Sequence, residues 1–161
     1  MTAKQLSIIP SVDECKNFFD IAKANSRLRT HKILHKPGAY ENAVINFMLK
    51  DTYMKPHLHP GEEKIEYIHL LKGELAMFYF EDNGKISSVK LLSASNNDVE
   101  IVPAYRWHTY LMISDKVITY ETMNGYYDPK TWKTEAGWAP DEEDKKSRNY
   151  MRRLRLNLIK N

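Results

Sequence analysis

The feature that most constrains the fold is a two-residue alternation of apolar and polar side chains between residues 42 and 123. This period is typical of β-strands, in which successive side chains point to opposite faces. It predicts seven strands, at residues 44–49, 65–71, 75–80, 89–92, 100–102, 109–113 and 117–123. Turn residues such as Gly73 and Gly84 separate several of them. Short strands at close intervals, without helical segments between them, favour an antiparallel sandwich or barrel.

The two ends of the chain are predicted to differ from this β-rich centre. Ser11 and Glu14 form a helix-capping pair ahead of apolar residues at helical spacing, which predicts a helix over residues 11–24. Residues 125–161 combine an aromatic loop with a basic tail, and the sequence leaves open whether the tail is helical or extended. We therefore expect a single domain over residues 1–161, with the barrel at 42–124.

Composition and charge argue against several classes of protein. The formal net charge is +3 at pH 7, but residues 145–161 hold seven basic residues and no acidic one. The rest of the chain is mildly acidic, so no nucleic-acid partner is expected. No apolar run approaches ~18 residues, and residues 1–10 lack the apolar centre of a signal peptide, so we expect no membrane partner and a cytoplasmic location. Cys15 is the only cysteine, which excludes an intrachain disulfide.

The basic tail is too apolar to remain free in solvent. Leu154, Leu156 and Leu158 alternate with polar residues, and such an amphipathic element docks either on its own domain or on a second subunit. Exposed strand edges also need to be covered. On these grounds we expect a homodimer to which residues 148–160 contribute.

The sharpest local signal for function is His57-Leu58-His59. On a strand the two histidines point to the same face, ~6.6–6.8 Å apart along the chain, so both imidazoles can bind one ion. An isolated pair of this kind is more often a surface feature, but Glu66 and His108 lie near the starts of two later strands. Three imidazoles and one carboxylate leave coordination positions open, which is the pattern of a catalytic metal site. We predict that His57, His59, Glu66 and His108 bind one divalent transition metal, namely Zn, Fe, Mn, Ni or Co.

Other ionisable residues near this set are weaker candidates. Glu62 and Glu63 could replace Glu66 as the carboxylate ligand, but they lie in a turn and are expected to be solvated. His69 is three residues after Glu66 and therefore points to the opposite face of the strand. Glu121 could act as a general acid or base near the metal, or it could be a carboxylate satisfied within the barrel.

These segments resemble the two motifs of the cupin superfamily. The matching positions are His57, His59, Glu66 and Gly73 in the first motif, and Pro103 and His108 in the second. Tyr105 stands where the second motif has glycine, and Asp51 replaces a glycine expected before the first histidine. The resemblance implies an all-β, antiparallel jelly-roll barrel.

The chain also resembles the WbuC-type cupin fold metalloproteins, over roughly residues 20–142. The similar segments are residues 26–31, 53–60, 100–103, 107–109, 127–129 and 137–140. This resemblance implies a metal-binding jelly roll that is often encoded among O-antigen and other surface-polysaccharide genes. It does not imply a particular reaction.

Four cationic or imidazole side chains precede the predicted barrel: Arg27, Arg29, His31 and His35. They could bind a carboxylate or phosphate of a substrate through charge-assisted hydrogen bonds, or they could tie this segment to the barrel. Tyr53 could add a hydroxyl group to the same pocket. If the segment binds substrate, we expect at least one of the two arginines to face the cavity that contains the metal ligands.

Three functions are compatible with such a site, since a metal can polarise a carbonyl or hydroxyl, activate water or bind dioxygen. The first is an enzyme that acts on a small sugar-related molecule as an isomerase or epimerase. The second is an oxygen-using enzyme that requires iron(II). The third is a non-catalytic, metal-dependent carbohydrate-binding module. The fold alone cannot choose among them, because function resides in the site.

Overall fold

The computed structural model describes residues 8–159, in which two helices and ten strands are found. Predictions that concern residues 1–7, 160 and 161 lie outside the described residues. The elements, in chain order, are α1 (Val12–Ala24), β1 (Arg29–Ile33), β2 (Glu41–Leu49), β3 (His57–Leu58), β4 (Glu66–Lys72), β5 (Glu74–Phe80), β6 (Ile86–Ser93), β7 (Val99–Val102), β8 (His108–Met112), β9 (Lys116–Asn124), β10 (Thr134–Glu135) and α2 (Lys146–Ile159).

The strands form two five-stranded antiparallel sheets. The first has the order β1-β2-β9-β4-β7 and the second the order β10-β3-β8-β5-β6. Every strand predicted between residues 44 and 123 is present, so the all-β antiparallel fold is confirmed. In addition, β1 pairs with β2 and β10 pairs with β3, which extends the sheets beyond residues 42–124. Both strands are largely polar, and they therefore lack the apolar alternation that marks the others.

The apolar core lies between the two sheets. Along β5, Leu75 and Met77 face this core, whereas Phe78 and Phe80 face the other side of the sheet. Both faces of the strand are buried, which explains its nearly continuous apolar sequence. The core consists of Met48, Ile68, Leu70, Leu75, Met77, Tyr79, Leu92, Val102, Tyr110, Met112 and Val117.

Helix α1 covers the outer face of the first sheet. The amide of Glu14 donates to Oγ of Ser11 at 3.2 Å, and the amide of Ser11 donates to the Glu14 carboxylate at 3.0 Å. The predicted capping pair is thus confirmed. Phe18 stacks on Phe47 of β2 with 4.6 Å between ring centroids, and Phe19 meets the same ring edge-on at 5.6 Å.

The tail forms helix α2, which resolves the choice between helix and extended chain. Tyr150, Met151 and Leu154 are buried against the outer face of the second sheet, and Arg155 donates to the carbonyl oxygen of Met112 at 3.0 Å. The tail therefore docks on its own domain, and the homodimer stays a prediction. None of the helices in residues 8–159 is long and apolar enough to span a membrane.

Two turns of the barrel adopt left-handed backbone conformations. Gly73 joins β4 to β5 with φ +83°, and a Cβ atom there would lie 2.7 Å from the carbonyl oxygen of Lys116. Tyr105, where cupins have glycine, adopts φ +60°. This left-handed conformation costs an L-residue about 1–2 kcal/mol. The second turn therefore has a backbone conformation that favours glycine, although the residue there is tyrosine.

Replacing Tyr105 tests this strain, because its side chain is 56% exposed. Tyr105→Gly relieves the strain, whereas Tyr105→Ala keeps it. We expect the free energy of unfolding to be about 1 kcal/mol higher for the glycine variant than for the alanine variant, which reverses the ordinary order of these residues. Urea unfolding of both variants measures the difference. An alanine variant as stable as the glycine variant would contradict the assignment of strain.

Candidate metal centre

Three histidines meet at one end of the space between the sheets. His57 is the first residue of β3, His59 follows that strand, and His108 begins β8, where it pairs with His57. All three are buried, with at most 6% of each residue exposed. One ring nitrogen of each lies within 4.8 Å of the other two. Two nitrogens bound to one ion lie at most ~4.2 Å apart, so small ring rotations allow all three to bind it.

A main-chain carbonyl fixes the orientation of each imidazole. The Nδ1 atoms of His57, His59 and His108 lie 3.0, 2.9 and 2.8 Å from the carbonyl oxygens of Lys55, Trp132 and Arg106, respectively. A carbonyl oxygen only accepts hydrogen bonds, so each Nδ1 carries a proton and donates it. The Nε2 atoms are left to face the common centre, an arrangement typical of metal-binding histidines.

Burial keeps two of these imidazoles neutral. It lowers the pKa of His57 well below its usual 6.5, and the neighbouring His108 and His59 lower it further. Burial also lowers the pKa of His59, although the negative charge of Glu66 opposes this effect. Neutral imidazole is the form that binds a metal. Both side chains are therefore in the binding form at neutral pH.

Glu66, the first residue of β4, presents its two carboxylate oxygens to different partners. Oε2 lies 3.1 Å from Nε2 of His108 and 3.7 Å from Nε2 of His59. The hydroxyl group of Tyr110 donates to Oε1 at 3.1 Å. Burial favours the neutral acid, but the hydrogen-bonding contact with His108 outweighs it and lowers the pKa of Glu66 to about 2. The side chain is therefore a carboxylate.

The contact between Glu66 and His108 is compatible with a proton or a metal ion between the two side chains. Because Nδ1 of His108 already donates to a carbonyl oxygen, a neutral ring would turn its Nε2 lone pair towards the carboxylate at 3.1 Å. Two lone pairs at this distance repel each other unless a proton or a metal ion lies between them. The donor set thus fits a divalent transition metal held by His57, His59 and His108. Coordination by Glu66 stays a prediction.

A cavity of about 350 Å³ adjoins the histidines. Its wall contains His59, Glu66 and polar side chains from the first sheet, and volumes of this size are typical of small-molecule sites. The polar residues from that sheet and the preceding segment are His31, His35, Asn42, Asn46, Glu121 and Thr122. The cavity can therefore place a small polar molecule beside the candidate metal ligands.

Glu121, the predicted acid or base, lies in this wall. Oγ1 of Thr119 donates to its carboxyl group at 2.7 Å. Burial, and then the negative charge of Glu66, raise the pKa of Glu121 to about 8. At neutral pH its carboxyl group therefore holds a proton inside the cavity. A catalytic role for this residue stays a prediction.

The predicted anion-binding residues fall into two groups. His31 and His35 line the cavity. Arg27 and Arg29 instead pair with Glu142, at 2.7 and 2.6 Å, respectively. Neither arginine is among the described residues that line the cavity. The alternative that they tie their segment to the rest of the domain therefore has direct contacts in its favour, and substrate binding by them stays a prediction.

The remaining candidates lie elsewhere. The hydroxyl group of Tyr53 donates to the carbonyl oxygen of Pro140 at 2.9 Å. Tyr53 is not among the described residues that line this cavity, and substrate binding by it stays a prediction. His69 packs against Tyr120, with 5.9 Å between ring centroids, and is not part of the three-histidine group. Glu62 is exposed in the turn before β4, as expected.

The sequence did not indicate how the loop at residues 125–133 takes part in the site. Its aromatic residues predict only packing against the barrel, yet Tyr127 and Trp132 line the cavity. Trp132 also holds His59 through its carbonyl oxygen. The two residues are 73 positions apart, and no local pattern links them.

Comparison with protein families gives one match. Residues 11–92 match a family described as a domain of unknown function (DUF6016), and this is just over half of the 161 residues. The chain belongs to this family. Among curated proteins, none matches it.

Solved structures with similar folds share little sequence with the chain. A capsular polysaccharide assembling protein, CapF from Staphylococcus aureus, is 17% identical with a TM-score of 0.59, over 69% of this chain and 32% of CapF. The chain thus spans about a third of CapF. A conserved protein with a double-stranded β-helix domain from Klebsiella pneumoniae is 14% identical with a TM-score of 0.57, over 84% of this chain and 97% of that protein. This chain therefore has a double-stranded β-helix fold.

Metal analysis of single variants tests the centre. We expect about one equivalent of divalent metal per chain. His57→Ala and His108→Ala should abolish it, because each removes one of three converging nitrogens. His69→Ala is the matched control and should keep full metal content, because this ring lies outside the group. Elemental analysis of the purified variants measures the stoichiometry, and metal retained by His108→Ala would refute the assignment.

Proposed function

We propose that the chain is a mononuclear metal-dependent enzyme that isomerises or epimerises a small sugar-related molecule. The observation that carries this proposal is the convergence of three imidazole Nε2 atoms beside a cavity that contains a carboxyl group, Glu121. A bound divalent ion would supply Lewis acidity to a carbonyl or hydroxyl oxygen of the substrate. Besides the metal, this reaction needs a group that moves a proton.

Glu121 would be that group. Isomerisation and epimerisation next to a carbonyl require one proton to leave carbon and one to return, so they need no oxidant or reductant. The ionised form of this carboxyl group can accept the first proton and supply the second, and a pKa of about 8 makes that form the major one only above pH 8. Thr119 orients it by a hydrogen bond at 2.7 Å, and the uncharged amide of Asn46 in the cavity wall offers a partner for a hydroxyl group of a sugar.

One comparison supports a link to polysaccharide metabolism. CapF, whose fold is similar over 69% of this chain, is a capsular polysaccharide assembling protein. The resemblance to WbuC-type cupins points to the same area of metabolism. We further propose that the protein is cytoplasmic and homodimeric. Sedimentation of the full chain as a monomer at micromolar concentration would contradict the homodimer.

Hydrogen exchange in D₂O tests the reaction. The metal-loaded protein is incubated with a panel of sugars and sugar nucleotides, and mass spectrometry detects a gain of deuterium at carbon. Glu121→Gln should reduce the exchange rate about 10²–10⁴-fold, the usual contribution of a general acid or base, while leaving metal content unchanged. The matched control Glu62→Gln changes an exposed carboxylate outside the cavity and should keep the wild-type rate.

The other outcomes of this experiment identify the alternatives. Exchange at the wild-type rate in Glu121→Gln would contradict the role of that residue. Oxygen uptake that depends on iron(II), without deuterium at carbon, would favour the oxygen-using enzyme. Sugar binding without any turnover over the whole panel would favour the carbohydrate-binding module.

A further inference from the structure

We propose that Lys64 is a positioning residue for the metal, because it fixes the main-chain carbonyl that orients His59. This inference rests on the metal site proposed above and adds a residue that is not itself a ligand. Lys64 lies in the turn between β3 and β4, and its partners lie in the loop at residues 125–133.

The surroundings of Lys64 are unusual for a lysine. The residue is only 7% exposed, and in the part of the chain that the structure describes no carboxylate forms an ion pair with it. Its Nζ atom donates to the carbonyl oxygen of Thr131 at 3.0 Å and lies 5.1 Å from the ring centroid of Trp132. A buried ammonium group is costly unless its contacts compensate for lost water. Both contacts of the Lys64 ammonium group are thus with Thr131 and Trp132, which are adjacent in sequence.

These contacts hold the segment that orients the ligand. Lys64 binds the carbonyl group of Thr131 and the ring of Trp132, and the next carbonyl group, that of Trp132, accepts the Nδ1 proton of His59 at 2.9 Å. The aliphatic stem of Lys64 also packs on the loop, since a Cβ atom at Gly125 would lie 3.4 Å from its Cε atom. The Lys64–Trp132–His59 contacts therefore link the loop to the metal ligand.

The electrostatic field of Lys64 acts in the opposite direction to this positioning effect. A positive charge near the site repels a divalent cation and also lowers the pKa of His59. If charge alone mattered, removing the ammonium group would strengthen metal binding. If positioning dominates, the same change weakens it. The sign of the change in affinity therefore separates the two effects.

The test compares Zn²⁺ affinity, measured against a competing chelator, for the full-length wild type, four single variants and one double variant. Lys64→Met keeps the aliphatic stem and removes the ammonium group, and it should weaken Zn²⁺ binding about 10–100-fold, the usual effect of losing a group that orients a metal ligand. Lys64→Arg keeps a cationic donor and should restore most of the affinity. Lys130→Met, which removes an exposed lysine from the same loop, is the matched control and should bind Zn²⁺ like wild type.

A fourth variant tests the same contact in case Lys64→Met does not fold. Trp132→Leu keeps the carbonyl group that holds His59 but removes the ring beneath the ammonium group, and it should also weaken Zn²⁺ binding. The loss in Lys64→Met/Trp132→Leu should be smaller than the sum of the single losses, because both act through one contact. Absorption of bound Co²⁺ should change in Lys64→Met and Trp132→Leu and stay unchanged in Lys130→Met, since the spectrum reports ligand geometry.

Several results would overturn the proposal. Zn²⁺ binding by a folded Lys64→Met as tight as that of wild type, or tighter, leaves Lys64 with a structural or purely electrostatic role. Additive losses in the double variant would show that the two residues act separately. A wild-type chain that binds no Zn²⁺ would overturn the metal site and the positioning role together, whereas the first two results leave the metal site intact.

Discussion

The hydrogen bonds from imidazole Nδ1 atoms to main-chain carbonyl oxygens are the interaction on which the site depends. They decide which nitrogen carries the proton and therefore which nitrogen is available to a metal. For His57 and His108 the carbonyl belongs to the residue two positions earlier, so the local backbone supplies it. For His59 it belongs to Trp132, 73 residues later. One of the three candidate ligands thus depends on a distant loop.

Strands β4 and β8 each contribute one residue to the candidate site and further residues to the apolar core. On β4, Glu66 is followed on the same inward face by Ile68 and Leu70, and on β8, His108 is followed by Tyr110 and Met112. The first inward position of each strand is polar and later ones are mostly apolar. This arrangement confines the cost of buried charge to one end of the barrel, where hydrogen bonds compensate for it. The remaining length stabilises the fold by apolar burial.

Strand β1 contains both a residue that lines the cavity and a residue that ties the strand to the C-terminal part of the domain. Alternation along β1 places Arg29 and His31 on the same face. His31 reaches the cavity, whereas the guanidinium group of Arg29 turns to Glu142 and to the carbonyl oxygen of Tyr53. A carboxylate 113 residues away thus determines that Arg29 joins the C-terminal part of the domain to β1. The residue type alone was equally consistent with anion binding.

The sequence by itself determined the strands of the barrel, the N-terminal helix and the three histidines, because each is encoded locally. Strand period, helix capping and the His57–His59 spacing all act over a few residues. Tertiary structure alone decided that Trp132 orients His59, that Glu142 binds the arginines and that α2 covers its own domain. Those contacts join residues that are far apart in the chain. Each depends on a single residue at either end, so no repeating sequence pattern could predict it. Only the closure of the two sheets brings such residues within hydrogen-bonding distance.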